Sequence, residues 1–258
     1  MAKKIVAMIS ALALVLALSA CGASTSAPVG DTTAAADAPG QTTAAAQTTS
    51  AEPESDPYEI TYTNAKVWTN SIGTTWVQAI VEITNTGSKN LYLGSASYDL
   101  EDADGSLVAS ESLVSTFPDV LAPGEKGYMY SETTLDNYSG DGTLTIVPHL
   151  DISEATVDLI RYDTSEIAVS DGEYTGLKVL GRVENTTSEA GSMVYVVAVF
   201  YGADNTPLGL AFTILDNDLA AGDKTGFEIN SMSLPSDITA ADVANTTVYA
   251  YPMQYQFG

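Results

Sequence analysis

"VEITNTGSKNLYLGSASYDLEDADGSLV" occupies residues 81–108, and "GRVENTTSEAGSMVYVVAVFYGADNTPL" occupies residues 181–208. The two align without a gap at an offset of 100, placing Asn85-Thr86 on Asn185-Thr186 and Ala103-Asp104 on Ala203-Asp204. Downstream, "LAPGEK" from Leu121 returns as "LAAGDK" from Leu219 at an offset of 98, and "LTIVP" from Leu144 lines up with "VYAYP" from Val248 at an offset of 104. Ordered blocks separated by small indels are the signature of an internal duplication. The expected organisation is one copy over residues 58–149 and a second over residues 150–258.

Each copy reads as β. In "WVQAIVEIT" the apolar residues Val77, Ala79, Val81 and Ile83 alternate with Gln78, Glu82 and Thr84, although Trp76 and Ile80 weaken the alternation. The second copy keeps the parity with Leu177, Val179 and Val183 against Lys178, Arg182 and Glu184. Side chains two apart share one face of a strand, so one buried face is expected in each. Turn signals recur between such runs: Asn85-Thr86-Gly87, Asp104-Gly105, Pro123-Gly124, Asp204-Asn205 and Ala221-Gly222. No sustained 3.6-residue period is present, and "SDITAADVAN" near Ser236 allows one short helical turn. Many short strands without helices predict an all-β protein: two tandem antiparallel, immunoglobulin-like β-sandwiches.

The acidic stretch "YDLEDADGSLVASE" tests a different idea. With Gly105 at the sixth place of a helix-loop-helix calcium loop, Asp102, Asp104 and Glu111 fall on ligand positions. The first ligand position, however, is Leu100, both flanks alternate as strands, and the second copy keeps the turn residues while losing most acids. A hairpin turn is the expectation, with no metal site. His149, the only histidine, stands in "IVPHLD" at the junction of the copies and reads as an exposed linker residue whose counterpart is Met253. A histidine metal cluster or a Ser-His-Asp arrangement would rest on it alone.

The chain opens with Lys3-Lys4 and an apolar run from Ile5 to Leu18, the pattern of a secretory leader over residues 1–20. Leu18-Ser19-Ala20-Cys21-Gly22 follows, and it resembles the lipobox of bacterial lipoproteins. That resemblance implies a diacylglyceryl group on Cys21, cleavage before it, and attachment to the outer side of the cell membrane. Cys21 is the only cysteine, so no disulfide forms within the chain. Residues 21–57 are dominated by Ala, Thr, Ser, Gly and Pro with almost nothing large to bury, the composition of a disordered tether. Its coil dimension is roughly 30–35 Å, and its extended reach is about 120 Å.

The formal charge is −24, becoming −26 once Lys3 and Lys4 leave with the leader. Such a body repels phosphate backbones, which argues against a nucleic-acid partner. The layout of Asn-Thr, strand, Leu-x-Asp-Ala-Asp-Gly and Leu-x-Pro-Gly-Glu resembles the FxLYD-type, Ig-like domains of bacterial lipoproteins over both copies. In this chain the signature is altered to Tyr98-Asp99-Leu100-Glu101-Asp102 and to Ala198-Val199-Phe200-Tyr201-Gly202. The resemblance implies a non-enzymatic binding, adaptor or spacer role without cofactors or catalytic residues. A structural part of an envelope complex is the alternative, and an extracellular hydrolase a third class.

One contrast between the copies stands out. The outward positions of the third strand are Ser95, Ser97, Asp99 and Glu101 in copy one but Tyr195, Val197, Val199 and Tyr201 in copy two. A strand apolar on both faces needs cover on both. The first copy, the aromatic tail with Tyr251, Tyr255 and Phe257, or an outside partner such as an envelope protein or a glycan would each supply it. The four residues are therefore candidate partner-binding positions.

Overall fold

The computed structural model describes residues 56–254, except 137, 139–141, 143, 174, 175, 232, 233 and 236. Cys21, the leader, most of the tether, Tyr255 and Phe257 lie outside the described residues. Copy one contains β1 (Tyr58–Thr69), β2 (Thr75–Asn85), β3 (Leu91–Glu101), β4 (Leu107–Phe117), β5 (Val120–Leu121), β6 (Lys126–Thr134) and β7 (Thr145–Glu154). Copy two contains β8 (Asp163–Asp171), β9 (Leu177–Glu184), β10 (Val194–Tyr201), β11 (Pro207–Ile214), β12 (Lys224–Ser231) and β13 (Asn245–Pro252), with one 3-10 turn at Ala240–Asp242 in the segment that allowed a helical turn. The fold is all-β and every strand pair is antiparallel.

The two copies share one strand order. Copy one layers β1-β2-β6 against β7-β3-β4; copy two layers β8-β9-β12 against β13-β10-β11. In copy one, Val77, Ala79, Val81 and Ile83 of β2 meet Ala96, Tyr98 and Leu100 of β3 in the core. In copy two, Leu177, Val179 and Val183 of β9 meet Val194, Val196, Ala198 and Phe200 of β10. The parity read from the sequence is the one that fills these cores. One difference separates the copies: the end of β4 crosses over to pair with β6, joining copy one into a single curled sheet.

Two expectations are corrected. The boundary at residues 149 and 150 cuts through β7, which runs on to pair Glu154 with Leu91, so copy one extends beyond it. The 104 offset of the last block is a coincidence of Pro148 with Pro252. β7 sets His149 opposite Ser97 and β13 sets Tyr249 opposite Val197, so the offset of 100 persists and His149 corresponds to Tyr249. His149 is thus a mid-strand residue, not a linker.

The copies are not separate bodies, because the described residues 56–254 belong to one compact unit. Ile80 of β2, Phe117 of β4, and Tyr128 and Tyr130 of β6 pack on Val197, Val199 and Tyr201 of β10, Leu210 of β11 and Tyr251 of β13.

Candidate functional site

The acidic stretch is a turn, and Asp102, at its start, is occupied by the chain. Asp102 Oδ1 accepts the backbone N–H of Asp104 at 3.0 Å and of Ser106 at 2.9 Å, while Gly105 N–H donates to the Asp102 carbonyl at 3.0 Å. Gly105 has φ 77°, a conformation glycine adopts at little cost. In copy two the same place is taken by Asn205 with φ 63°, and Asp204 accepts from Thr206. A short polar side chain tolerates that left-handed conformation, which is why the turn survives without its acids. Among the described residues there is no group of three metal-ligating side chains.

His149 faces outward on β7. Its Nε2 lies 3.1 Å from Asp99 Oδ2, and Ser110 donates to the other oxygen of the same carboxylate. The Ser110 hydroxyl first, and His149 second, hold the Asp99 carboxyl below its usual range. The carboxylate stands between hydroxyl and imidazole, the wrong order for an imidazole that must take the hydroxyl proton.

The four positions singled out on β10 lie at the centre of the molecule. Val197 and Val199 are fully buried, Tyr201 nearly so, and Tyr195 half-buried. As a free partner-binding surface they are corrected: the cover is copy one. The sequence showed that cover was needed, but the covering residues sit on the face of β2 that had looked wet. Gln78 and Glu82 on that face are buried. Glu82 is matched by Lys126 at 2.7 Å and by the Thr61 hydroxyl at 2.8 Å, so the charge enters the seam paired. Tyr128 and Tyr201 join their hydroxyls across the seam, and burial pushes both hydroxyls upward, keeping them protonated.

The connection between the copies is stapled to the same seam. Arg161 pairs with Glu125 at 2.9 Å, donates to the Val120 carbonyl, and sets its guanidinium 5.5 Å from the centre of the Tyr251 ring. Tyr251 stacks on Tyr195 at 5.9 Å and 16°.

At the mouth of the seam lies an open groove of about 430 Å³. Its apolar wall is Tyr92, Phe117, Tyr195 and Phe212, and its polar wall includes Asp119 and Asp151. The Phe117 and Phe212 rings are 4.9 Å apart and tilted 44°, with Tyr195 about 6 Å from each, at 6.0 and 5.9 Å. Phe212 is 41% exposed, unusual for a phenylalanine beside a core. Gly94 lets β7 approach: a Cβ there would lie 2.8 Å from the Asp151 carbonyl oxygen. Asp119 is half-buried and accepts the Gln254 backbone N–H at 3.3 Å. Burial pushes its carboxyl up to about 6, against the opposing pull of that N–H and of Arg161. Sequence reasoning reached Tyr195 but not Phe117, Asp119 or Phe212, because the groove exists only where the two copies meet.

No family model matches the chain, and no curated protein matches it.

Proposed function

We propose that the protein is a non-enzymatic, lipid-anchored binding module on the outer face of a bacterial membrane, and that its ligand is an envelope glycan seated in the seam groove. On this reading Cys21 carries the anchor, residues 21–57 give reach, and the paired FxLYD-like sandwiches hold the groove in shape. The groove is the observation that carries it. Aromatic faces stack on the C–H faces of sugar rings, and carboxylates accept sugar hydroxyls, a combination of apolar wall and few polar groups suited to a small ligand. The walls come from β3, β4, β7, β10 and β11, with Asp119 between β4 and β5, so strands of both copies preorganise them.

A spacer role is the second reading, favoured by the seam itself, since the most apolar face of the chain is consumed internally. One experiment separates the two. Cys21→Ala should be shed into the medium, and this soluble protein should bind glycans from the envelope of its source bacterium. Adding Phe212→Ala should weaken that binding about tenfold, the loss of one stacking platform. Retention of Cys21→Ala in the membrane fraction would overturn the anchor. Absence of glycan binding, or binding indifferent to Phe212→Ala, would leave the spacer.

A further inference from the structure

The duplication provides an internal reference for a vacancy. In copy one the corner between the two layers is closed by the chain itself. β4 leaves β3, and its last residues pair with β6: Ser115 opposite Tyr130, Thr116 opposite Met129, Phe117 opposite Tyr128. In copy two β11 stops at Ile214, Leu215 N–H stays bonded to the Val194 carbonyl of β10 at 2.9 Å, and residues 215–223 turn away. The counterparts of Tyr128, Met129 and Tyr130 are Gly226, Phe227 and Glu228. They pair with β9 on one side, and on the other no strand among the described residues is hydrogen-bonded to them, although β11 packs nearby. Between this edge and the end of β11 lies a cleft of about 700 Å³, lined by residues 213–219 and 223–228.

We propose that this corner accepts an extended, basic segment of a partner protein, which adds as a strand along the β12 edge at residues 226–228, where copy one seats its own residues 115–117. An unpaired edge offers a row of backbone donors and acceptors, and strand addition is a general way to use it. The edge is open at its centre. Gly226 is exposed, and the nearest atom to a Cβ placed there is the Gly181 carbonyl oxygen at 3.8 Å.

Charge selects the occupant. Asp216, Asp218 and Asp223 line the cleft without an ion pair among the described residues, whereas Lys224 is held by Glu184 at 3.3 Å and Glu228 by Lys178 at 2.8 Å. Three uncompensated carboxylates attract lysine or arginine on the incoming strand. They also repel a second copy of this chain, whose own charge is −24, so the open edge is guarded against self-association. The cleft borders the seam groove on β11, where Thr213 and Ile214 line the one and Phe212 the other, but the two share no lining residue and the corner does not depend on the groove's ligand.

The test uses the full chain in non-ionic detergent and a fluorescent octapeptide of alternating lysine and valine. Binding should rise on titration, and hydrogen exchange at residues 226–228 should slow. The same peptide N-methylated at alternate residues, which cannot pair as a strand, should bind about tenfold more weakly. Combined Asp216→Asn, Asp218→Asn and Asp223→Asn should weaken the unmodified peptide by about tenfold. Phe212→Ala should change neither result, which keeps this site distinct from the groove. No binding, equal binding of the N-methylated peptide, or protection elsewhere than residues 226–228 would overturn the proposal. Protection of those residues in the protein alone at rising concentration would identify a second copy as the occupant and would overturn it too.

Discussion

At the scale of single residues, Asp119 shows how the seam alters chemistry. Its carboxyl ionises near 3.8 in an open chain and at about 6 in the fold, with burial as the main cause. A raised value means the fold disfavours the charged form. Asp119 therefore contributes stability that is fully present below about pH 4 and is lost as pH rises through about 6. The full shift corresponds to about 3 kcal/mol, and partial exposure reduces this to about 1–2 kcal/mol through solvent screening. Asp119→Asn keeps the acceptor for Gln254 and cannot ionise. Urea unfolding at pH 8 should show the variant about 1–2 kcal/mol more stable than wild type, with little difference at pH 4. Equal differences at the two values would show that the carboxylate is not desolvated. Nothing in the sequence marked this residue, since its environment is made by Gln254 and Arg161, which lie more than a hundred positions and about forty positions away, respectively.

At the scale of elements, the copies are held in shape by one repeated clasp. Asn85 donates from Nδ2 to the carbonyls of Lys89 at 2.9 Å and Leu121 at 3.0 Å, and its Oδ1 accepts from Gly87 N–H. Asn185 does the same with Glu189 at 2.7 Å, Leu219 at 2.9 Å and Thr187 N–H. Both side chains are fully buried, so they tie the turn after the second strand of each copy to the segment just before β6 in copy one and just before β12 in copy two. The Asn-Thr pair was legible in sequence as a turn signal and as an anchor of the alignment, because the duplication preserved it. Its partners were not legible, since backbone carbonyls leave no trace in residue identity. The same limit hid the register of β7, where two prolines matched by chance and outvoted the true pairing. Asn85→Ala or Asn185→Ala leaves two carbonyls and an N–H without their partner in the interior. Each should cost about 2–4 kcal/mol in urea unfolding, and a cost below about 1 kcal/mol would show that water replaces the clasp.

At the scale of the whole molecule, the seam is an asymmetric contact between two copies of one sandwich. Copy one presents the outer face of β2 and β6, and copy two presents the outer face of β10, β11 and β13. Each copy also carries the face that the other one uses, and in both cases that spare face is solvent-exposed and carries mostly charged or polar side chains. Copy two's counterparts of Ile80, Glu82 and Tyr130 are the exposed Leu180, Arg182 and Glu228. Copy one's counterparts of Tyr195, Val197, Val199 and Tyr201 are Ser95, Ser97, Asp99 and Glu101. A head-to-tail contact that did not end this way would propagate from molecule to molecule, and polar terminal faces stop it. The contrast that first suggested an outside partner is thus the difference between an interior joint and a solvated end. Because Ile80 and Leu180 occupy the same place in the repeat, one substitution made at both positions tests the idea. Ile80→Lys puts an unpaired charge in the seam beneath Val199 and Tyr201, leaving the two sandwich cores intact. Calorimetry should resolve its unfolding into two transitions where the wild type shows one, with hydrogen exchange speeding up first along β6 and β10. Leu180→Lys, 43% exposed at the outset, should keep the single transition and change stability by no more than about 0.5 kcal/mol. Equal effects at the two sites, or one unchanged transition in Ile80→Lys, would mean that the seam does not hold the copies as one cooperative body.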